Sequence, residues 1–161
     1  MLFWDTSALV KAYSKETGSP TVLGAMSIRG VHGSLSDLVA VEIRSVLAKH
    51  LRIGKLTKAE YRAAVTHFAG DYAGAFEVVE VEPPIRHAAF QLAHAYRTSS
   101  LGAMDLLHLA SVVHIDRHRP PEPVVFATSD AALQTAAAAE GLRTFNPETD
   151  PLSKLLKLLA N

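Results

Sequence analysis

Short apolar runs alternate with helical patterns along this chain of 161 residues. That alternation restricts it to α/β layer architectures, in which helices cover a sheet. Leu2-Phe3-Trp4 is an apolar run of strand size ending at Asp5-Thr6-Ser7, residues suited to a helix N-terminus. A helix over residues 8–13 is expected next, and Ser19-Pro20 opens another towards Ile28. A very short strand is placed at 32–35. Ser36 or Asp37 then caps a helix over 38–51, which Gly54 stops. Thr57 and Glu60 make a capping-box pattern for a helix running to Tyr72.

Residues 76–81 (FEVVEV) alternate apolar and acidic side chains as a half-buried strand does. Helices are expected over 85–97 and Ala103–His118. Residues 119–123 hold three prolines and cannot be helix interior. An apolar strand over 124–127, an Ala-rich helix to Glu140, a stop at Gly141 and a last short strand over 142–145 follow. The end, 151–161 (PLSKLLKLLAN), has leucines at amphipathic helical spacing. No repeat or linker divides the chain. It reads as one domain over 1–150, with 151–161 as a helix packing on that domain or in a dimer interface.

An apolar share of 48% with 20% charged residues describes a soluble globular chain, not a disordered one. No cysteine is present, which excludes disulfides, thiolate metal sites and thiol catalysis and suits a reducing cytoplasm. The start lacks a basic signal-peptide region, and no apolar run reaches the roughly 18 residues of a membrane span. Sixteen Lys plus Arg balance sixteen Asp plus Glu, so the net charge of zero gives no hint of a nucleic-acid partner.

Four acids stand out by position. Glu42 and Asp105 share helix faces with apolar residues, where a lone carboxylate is costly unless paired or metal-bound. Asp5 and Asp130 each follow an apolar strand and precede a helix, at the strand end where open α/β sheets bind ligands. N-capping alone accounts for such an Asp, and a salt bridge accounts for a helix-edge acid. Convergence of all four has a chemical use. Clustered carboxylates need a cation, and without Cys the natural choice is a hard divalent ion, Mg²⁺ or Mn²⁺. One or two such ions activate water for phosphodiester cleavage. The hydroxyls of Ser7 and Thr128 lie close enough in sequence to hold a water or phosphate oxygen, or simply to cap turns.

The residues carrying this pattern resemble the PIN domain family in four ordered motifs. Phe3-Trp4-Asp5-Thr6-Ser7-Ala8-Leu9-Val10-Lys11 is similar to the first and Leu38-Val39-Ala40-Val41-Glu42-Ile43 to the second. Ala103-Met104-Asp105-Leu106-Leu107-His108-Leu109-Ala110 is similar to the third and Phe126-Ala127-Thr128-Ser129-Asp130 to the fourth. Length and pattern most resemble VapC toxins of toxin–antitoxin pairs. The resemblance implies a three-layer α/β/α sandwich with a mostly parallel central sheet. It also implies a Mg²⁺- or Mn²⁺-dependent ribonuclease site at Asp5, Glu42, Asp105 and Asp130, a homodimer, and a cognate antitoxin covering the site. The loop before Asp105 carries no Arg or Lys, so phosphate binding there needs another group.

Between residues 43 and 67, six Lys or Arg face one acid. That strip reads either as a solvated hairpin or as a track for RNA phosphates, with Arg44 and Lys49 nearest Glu42. His108, one turn from Asp105, reads as a packed helix histidine with a possible hydrogen bond to the site. His114 and His118 have chelating spacing but no third ligand nearby, and Trp4 reads as core. Two rival functions remain open: a PIN-fold interaction module without catalysis, and a Mg²⁺-dependent phosphatase or hydrolase of another α/β family. Many of the latter use Asp-x-Asp after the first strand, where this chain has Ser7.

Overall fold

A computed structural model describes residues 1–118 and 123–160. Five strands form one parallel sheet: β1 (Leu2–Trp4), β2 (Gly33–Ser36), β3 (Phe76–Val79), β4 (Val125–Ala127) and β5 (Arg143–Phe145). Their order across the sheet is β3-β2-β1-β4-β5. The helices are α1 (Thr6–Leu9), α2 (Ser19–Met26), α3 (Val39–Arg52), α4 (Lys58–Gly74), α5 (Pro83–Ala95), α6 (Ala103–His118), α7 (Ala131–Ala139) and α8 (Leu152–Ala160). This is the three-layer α/β/α architecture with a parallel sheet that the resemblance implies. No described helix is long and apolar enough to cross a membrane.

Side-chain alternation along the central strands builds the layers. Leu2 and Trp4 of β1, with Val125 and Ala127 of β4, enter a core with Leu9, Val22, Ile43, Leu47, Phe68 and Leu155. Met1 and Phe3, with Val124 and Phe126, point the other way onto Ile85, Leu92, Leu106, Leu109 and Leu133. Both faces of these strands are therefore buried, which explains why they read as unbroken apolar runs. Trp4 is 1% exposed, a core residue as expected.

Several boundaries move for identifiable reasons. The first helix begins at Thr6, because Asp5 caps it, and gives way to a 3-10 turn over Val10–Ala12. Strand β3 stops at Val79, not Val81. Its partner β2 ends at Ser36, paired with Val79, and Asp37 N–H takes the last carbonyl, so no ladder exists beyond. Helix α3 starts at Val39, with Ser36 Oγ accepting from Leu38 N–H at 3.2 Å. The Thr57–Glu60 capping box of α4 forms with both of its bonds. The proline-rich expectation falls on residues 119–122, which lie outside the described residues.

Two glycines carry the packing of the C-terminal segment. At Gly24 of α2 a Cβ would lie 2.6 Å from Leu152 Cδ1, so a larger residue there would turn the Leu152 side chain aside. Gly18 has φ of +86°, and a Cβ there would meet the Pro147 carbonyl oxygen at 2.7 Å. Gly18→Ala should therefore cost about 2 kcal/mol through left-handed strain and backbone displacement. An unchanged urea midpoint would contradict that account.

Candidate active site

The chain runs outward from β1 through β2 to β3, then returns to the other side of β1 as β4. The carboxyl ends of β1 and β4 thus adjoin at a switch in strand order, the usual ligand crevice of an open α/β sheet. Asp5 follows β1 and Thr128 follows β4, joined by a hydrogen bond from Asp5 N–H to the Ala127 carbonyl at 2.9 Å.

Asp5 is only 4% exposed. Its Oδ2 accepts from the backbone N–H of Ser7 at 3.1 Å, from the Ser7 hydroxyl, and from the Thr128 hydroxyl at 3.0 Å. Burial pushes the carboxyl pKa up, against the opposing pull of His108, Ser7 and Thr128. Ser7 and Thr128 thereby have definite positions: their oxygens lie 3.3 Å apart and both hold Asp5. Ser129 N–H donates to Ser7 Oγ at 2.9 Å, tying the two strand ends together.

Glu42 lies in the first turn of α3, which packs on α1. Its Oε2 accepts from Thr6 Oγ1 at 2.6 Å and lies 2.5 Å from His108 Nε2. Burial raises its pKa, but the bonds and charge of His108 and the Thr6 hydroxyl outweigh that and hold it below the usual value. The carboxylate is thus ionised and cannot donate, so His108 Nε2 carries the proton between them.

His108 is 1% exposed, with Nδ1 buried and without a partner among the described residues. Burial disfavours the charged ring, yet the Glu42 bond and the charges of Asp5, Glu42 and Asp105 pull its pKa up on balance. The orphaned Nδ1 argues the other way, because protonating it would bury an N–H with no acceptor. In either state of the ring the hydrogen on Nε2 is the one that faces Glu42.

Asp105 sits in the first turn of α6, where Oδ2 accepts from Gly102 N–H at 2.7 Å. Asp130 is exposed and caps α7, with Oδ1 accepting from Leu133 N–H at 2.8 Å. Its link to the others is indirect: Asp130 N–H donates to Thr128 Oγ1, which bonds Asp5. Glu42 thus touches His108, Asp5 and Asp105 act on its ring through their charges, and the exposed Asp130 stands apart. Their oxygen-only donor chemistry suits a hard divalent ion. In the positions they occupy, however, no three His, Asp or Glu among the described residues form a group able to hold one.

Arg44 and Lys49 lie away from the acids. Arg44, two residues beyond Glu42, is about 200° further round the helix. It borders a groove of about 360 Å³ with Val41, Phe68 and Tyr72 between α3 and α4. Lys49 is exposed, two turns along from Glu42. Lys55 of the same basic strip is bound to Glu16 at 2.6 Å. His114 and His118 stack with ring centres 4.2 Å apart, His118 Nδ1 lying 2.7 Å from the His114 carbonyl, a helix-end arrangement and not a chelate.

Sequence reasoning passed over Thr6 and undervalued His108. Their signals were present: Thr6 lies between two site residues, and His108 stands three residues after Asp105 on one helix face. What was not readable was that both would meet on the same oxygen of Glu42.

Comparison with solved structures gives the same fold. The structure of FitAcB from Neisseria gonorrhoeae superposes with a TM-score of 0.68 at 17% identity, covering 93% of this chain and 100% of that one. VapBC2 from Rickettsia felis, bound to a DNA fragment from its promoter, gives 0.63 at 14%, covering 91% and 98%. VapC20 from Mycobacterium tuberculosis, described as a sarcin-ricin loop cleaving toxin, gives 0.64 at 15%, covering 84% and 95%. No curated protein matches the chain in sequence. The model of the PIN domain matches residues 2–138, and the chain belongs to the PIN domain family.

Proposed function

We propose that this protein is a Mg²⁺- or Mn²⁺-dependent endoribonuclease acting as the toxin of a toxin–antitoxin pair. The observation that carries the reading is the pair of anchored carboxylates at the β1–β4 switch, Asp5 held by Ser7 and Thr128 and Glu42 held by Thr6 and His108. Burial disfavours the charge on Asp5, a penalty that a cation would relieve. The family and the likeness to VapC20 and VapBC2 support a nuclease of toxin type.

In this reading Asp5, Glu42, Asp105 and Asp130 would hold one or two divalent ions, which would supply Lewis acidity and lower the pKa of a water. The chain's own residues prepare the carboxylates. Ser7 and Thr128 fix Asp5, Thr6 and His108 fix Glu42, and the Gly102 N–H fixes Asp105. Asp130 Oδ2, which accepts no hydrogen bond from the described residues, is assigned to orient the attacking water. Water gives up a proton as it adds at phosphorus, one P–O ester bond breaks, and the leaving oxygen takes up a proton in exchange. Arg44 and Lys49 are assigned to RNA phosphates beyond the cleavage point; among the described residues neither has an ion-pair partner. A homodimer, an antitoxin partner and a cytoplasmic location belong to the same reading.

Purified protein incubated with total RNA tests it. Cleavage is expected with Mg²⁺ or Mn²⁺, none with EDTA, and about a hundredfold less from Asp105→Asn. Cleavage that persists in EDTA, or that Asp105→Asn leaves intact, would overturn the site. No cleavage under any condition would turn the choice to a non-catalytic interaction module.

A further inference from the structure

The hairpin of α3 and α4 carries cations that nothing in the fold uses. Residues 43–67 hold Arg44, Lys49, Arg52, Lys55, Lys58 and Arg62 against Glu60 alone, and Glu60 is occupied by its capping box. Asp71, the next acid along, is turned to the Tyr13 hydroxyl at 2.8 Å. Lys55 is bound to Glu16, whereas Arg44, Arg52 and Arg62 have no side-chain partner among the described residues. These three arginines follow one line. Arg52 comes eleven residues after Val41 and Arg62 seven before Ala69. Each pair therefore shares a helix face to within about 20°. Val41 and Ala69 line the groove of about 360 Å³ between the helices, with Ala40, Arg44, Phe68 and Tyr72.

That groove suits a flat apolar group joined to an anion. Phe68 is buried beneath it, two alanines leave its walls open, and Val41, 71% exposed, offers apolar surface at its lip. Arg44 brings the one charge of the lining. Tyr72 stands towards Asp37 and Glu80; burial and those two charges push its phenol pKa up, so the hydroxyl stays protonated. On α3, Val41 lies between Glu42 and Arg44, about 100° from the first and about 60° from the second, so a strand crossing that ridge approaches Glu42. An unstacked RNA base has the required face, and its phosphate matches the guanidinium. A polyanion also accounts for the line of arginines, which a peptide with a single carboxylate does not. We propose that the α3–α4 groove receives one unstacked base of a single-stranded RNA, with Arg44 on its phosphate and Arg52 and Arg62 on the phosphates that follow. The inference rests on the ribonuclease reading above and adds where the substrate strand lies and that it is single-stranded.

The test measures binding without cleavage. A labelled single-stranded RNA octamer of mixed sequence is titrated in EDTA and followed by fluorescence anisotropy, with inorganic polyphosphate as a competitor that has charge but no base. Each variant is first shown to be folded by circular dichroism. Ala69→Leu narrows the groove at an exposed position and leaves the charge alone. It should weaken the octamer by about tenfold, the scale of one stacked base, and polyphosphate by less than about twofold. Arg44→Gln should weaken both and reduce the slope of log affinity against log salt by about 0.7, as for one phosphate contact on a single strand. Lys157→Gln removes the same charge from α8 and should leave the octamer affinity at its native value. Val41→Ala, which strips the lip, carries the comparison if Ala69→Leu does not fold. Octamer binding unchanged by Ala69→Leu and Arg44→Gln overturns the proposal and leaves the groove to a protein partner. Polyphosphate weakened by Ala69→Leu as much as the octamer also overturns it, since no base is then sensed. Native protein that does not bind the octamer overturns it as well, and the ribonuclease reading is then decided separately, by cleavage of total RNA.

Discussion

Asp5→Asn should end RNA cleavage and, in the same protein, raise the melting temperature measured in EDTA. The two effects share one cause, a carboxylate buried where its charge is needed for function but is costly for folding. Asp5 is 4% exposed, and burial raises its pKa above the ordinary 3.8. An acid with a raised folded pKa contributes stability below its ordinary value, and that contribution is lost as the pH rises through the folded value. At pH 7 the ionised group therefore destabilises the metal-free fold. Asparagine is uncharged, and its oxygen can accept the bonds now received from Ser7 and Thr128. The melting temperature should rise by several degrees, since about 1 kcal/mol corresponds to about 2–4 °C in a chain of this size. Cleavage should fall by about a thousandfold, equivalent to about 4 kcal/mol of lost transition-state stabilisation. Adding Mn²⁺ should stabilise the native protein and leave the variant unmoved. A variant that melts below the native protein would contradict the buried-charge account, and undiminished cleavage would remove Asp5 from the chemistry.

Lys11→Met should be the most destabilising single charge removal in the molecule, at about 3 kcal/mol. The Lys11 side chain is 4% exposed, with Nζ 2.6 Å from Glu148 and 3.2 Å from Glu16. Glu16 also binds Lys55 at 2.6 Å and lies 3.4 Å from His50 Nε2. The network ties the turn after α1 to the end of α3 and to the loop before α8. Methionine keeps the hydrocarbon stem and deletes the charge, leaving two partly covered carboxylates without it. The loss stays at the lower end of the range for broken buried pairs, because Glu16 keeps Lys55 and Glu148 is partly exposed. Burial raises the Glu16 pKa, but the bonds and charges of Lys55 and Lys11 outweigh it and bring the carboxyl below its ordinary 4.5. Its stabilisation is therefore present above 4.5 and lost as the pH falls through the folded value, opposite in sign to Asp5. Urea midpoints at pH 7 and pH 3.5 should show native stability falling in acid, with a smaller drop in Lys11→Met. Equal midpoints for the two proteins at pH 7 would contradict this role.

Much of the fold was legible because the strands are buried on both faces and the helices carry strong caps. Leu2-Phe3-Trp4, the Thr57–Glu60 box and the extent of Ala103–His118 all read correctly from local pattern. The end of β3 did not, since it depends on where the neighbouring β2 stops. The candidate acids were legible as carboxylates in unsuitable places, and the family motifs gave their order. Their geometry was less so. Asp130 reads as an equal member of the group, but its side chain caps α7 at the rim. Arg44 reads as near Glu42 along the chain, although helical rotation turns it to a different groove.

By itself the sequence determined the layer architecture, the elements and the four candidate acids, because caps, apolar periodicity and costly carboxylates are local properties. The tertiary structure decided which groups meet. Strand order 3-2-1-4-5 brings Asp5 beside Thr128 across 123 residues of chain, and helices α3 and α6, on opposite faces of the sheet, bring Glu42 to His108 across 66. Such contacts depend on strand order and helix rotation, which no local pattern encodes. They also decide the electrostatics: Asp5 is pushed towards its neutral form by burial, whereas Glu42, held by two donors on one oxygen, keeps its charge.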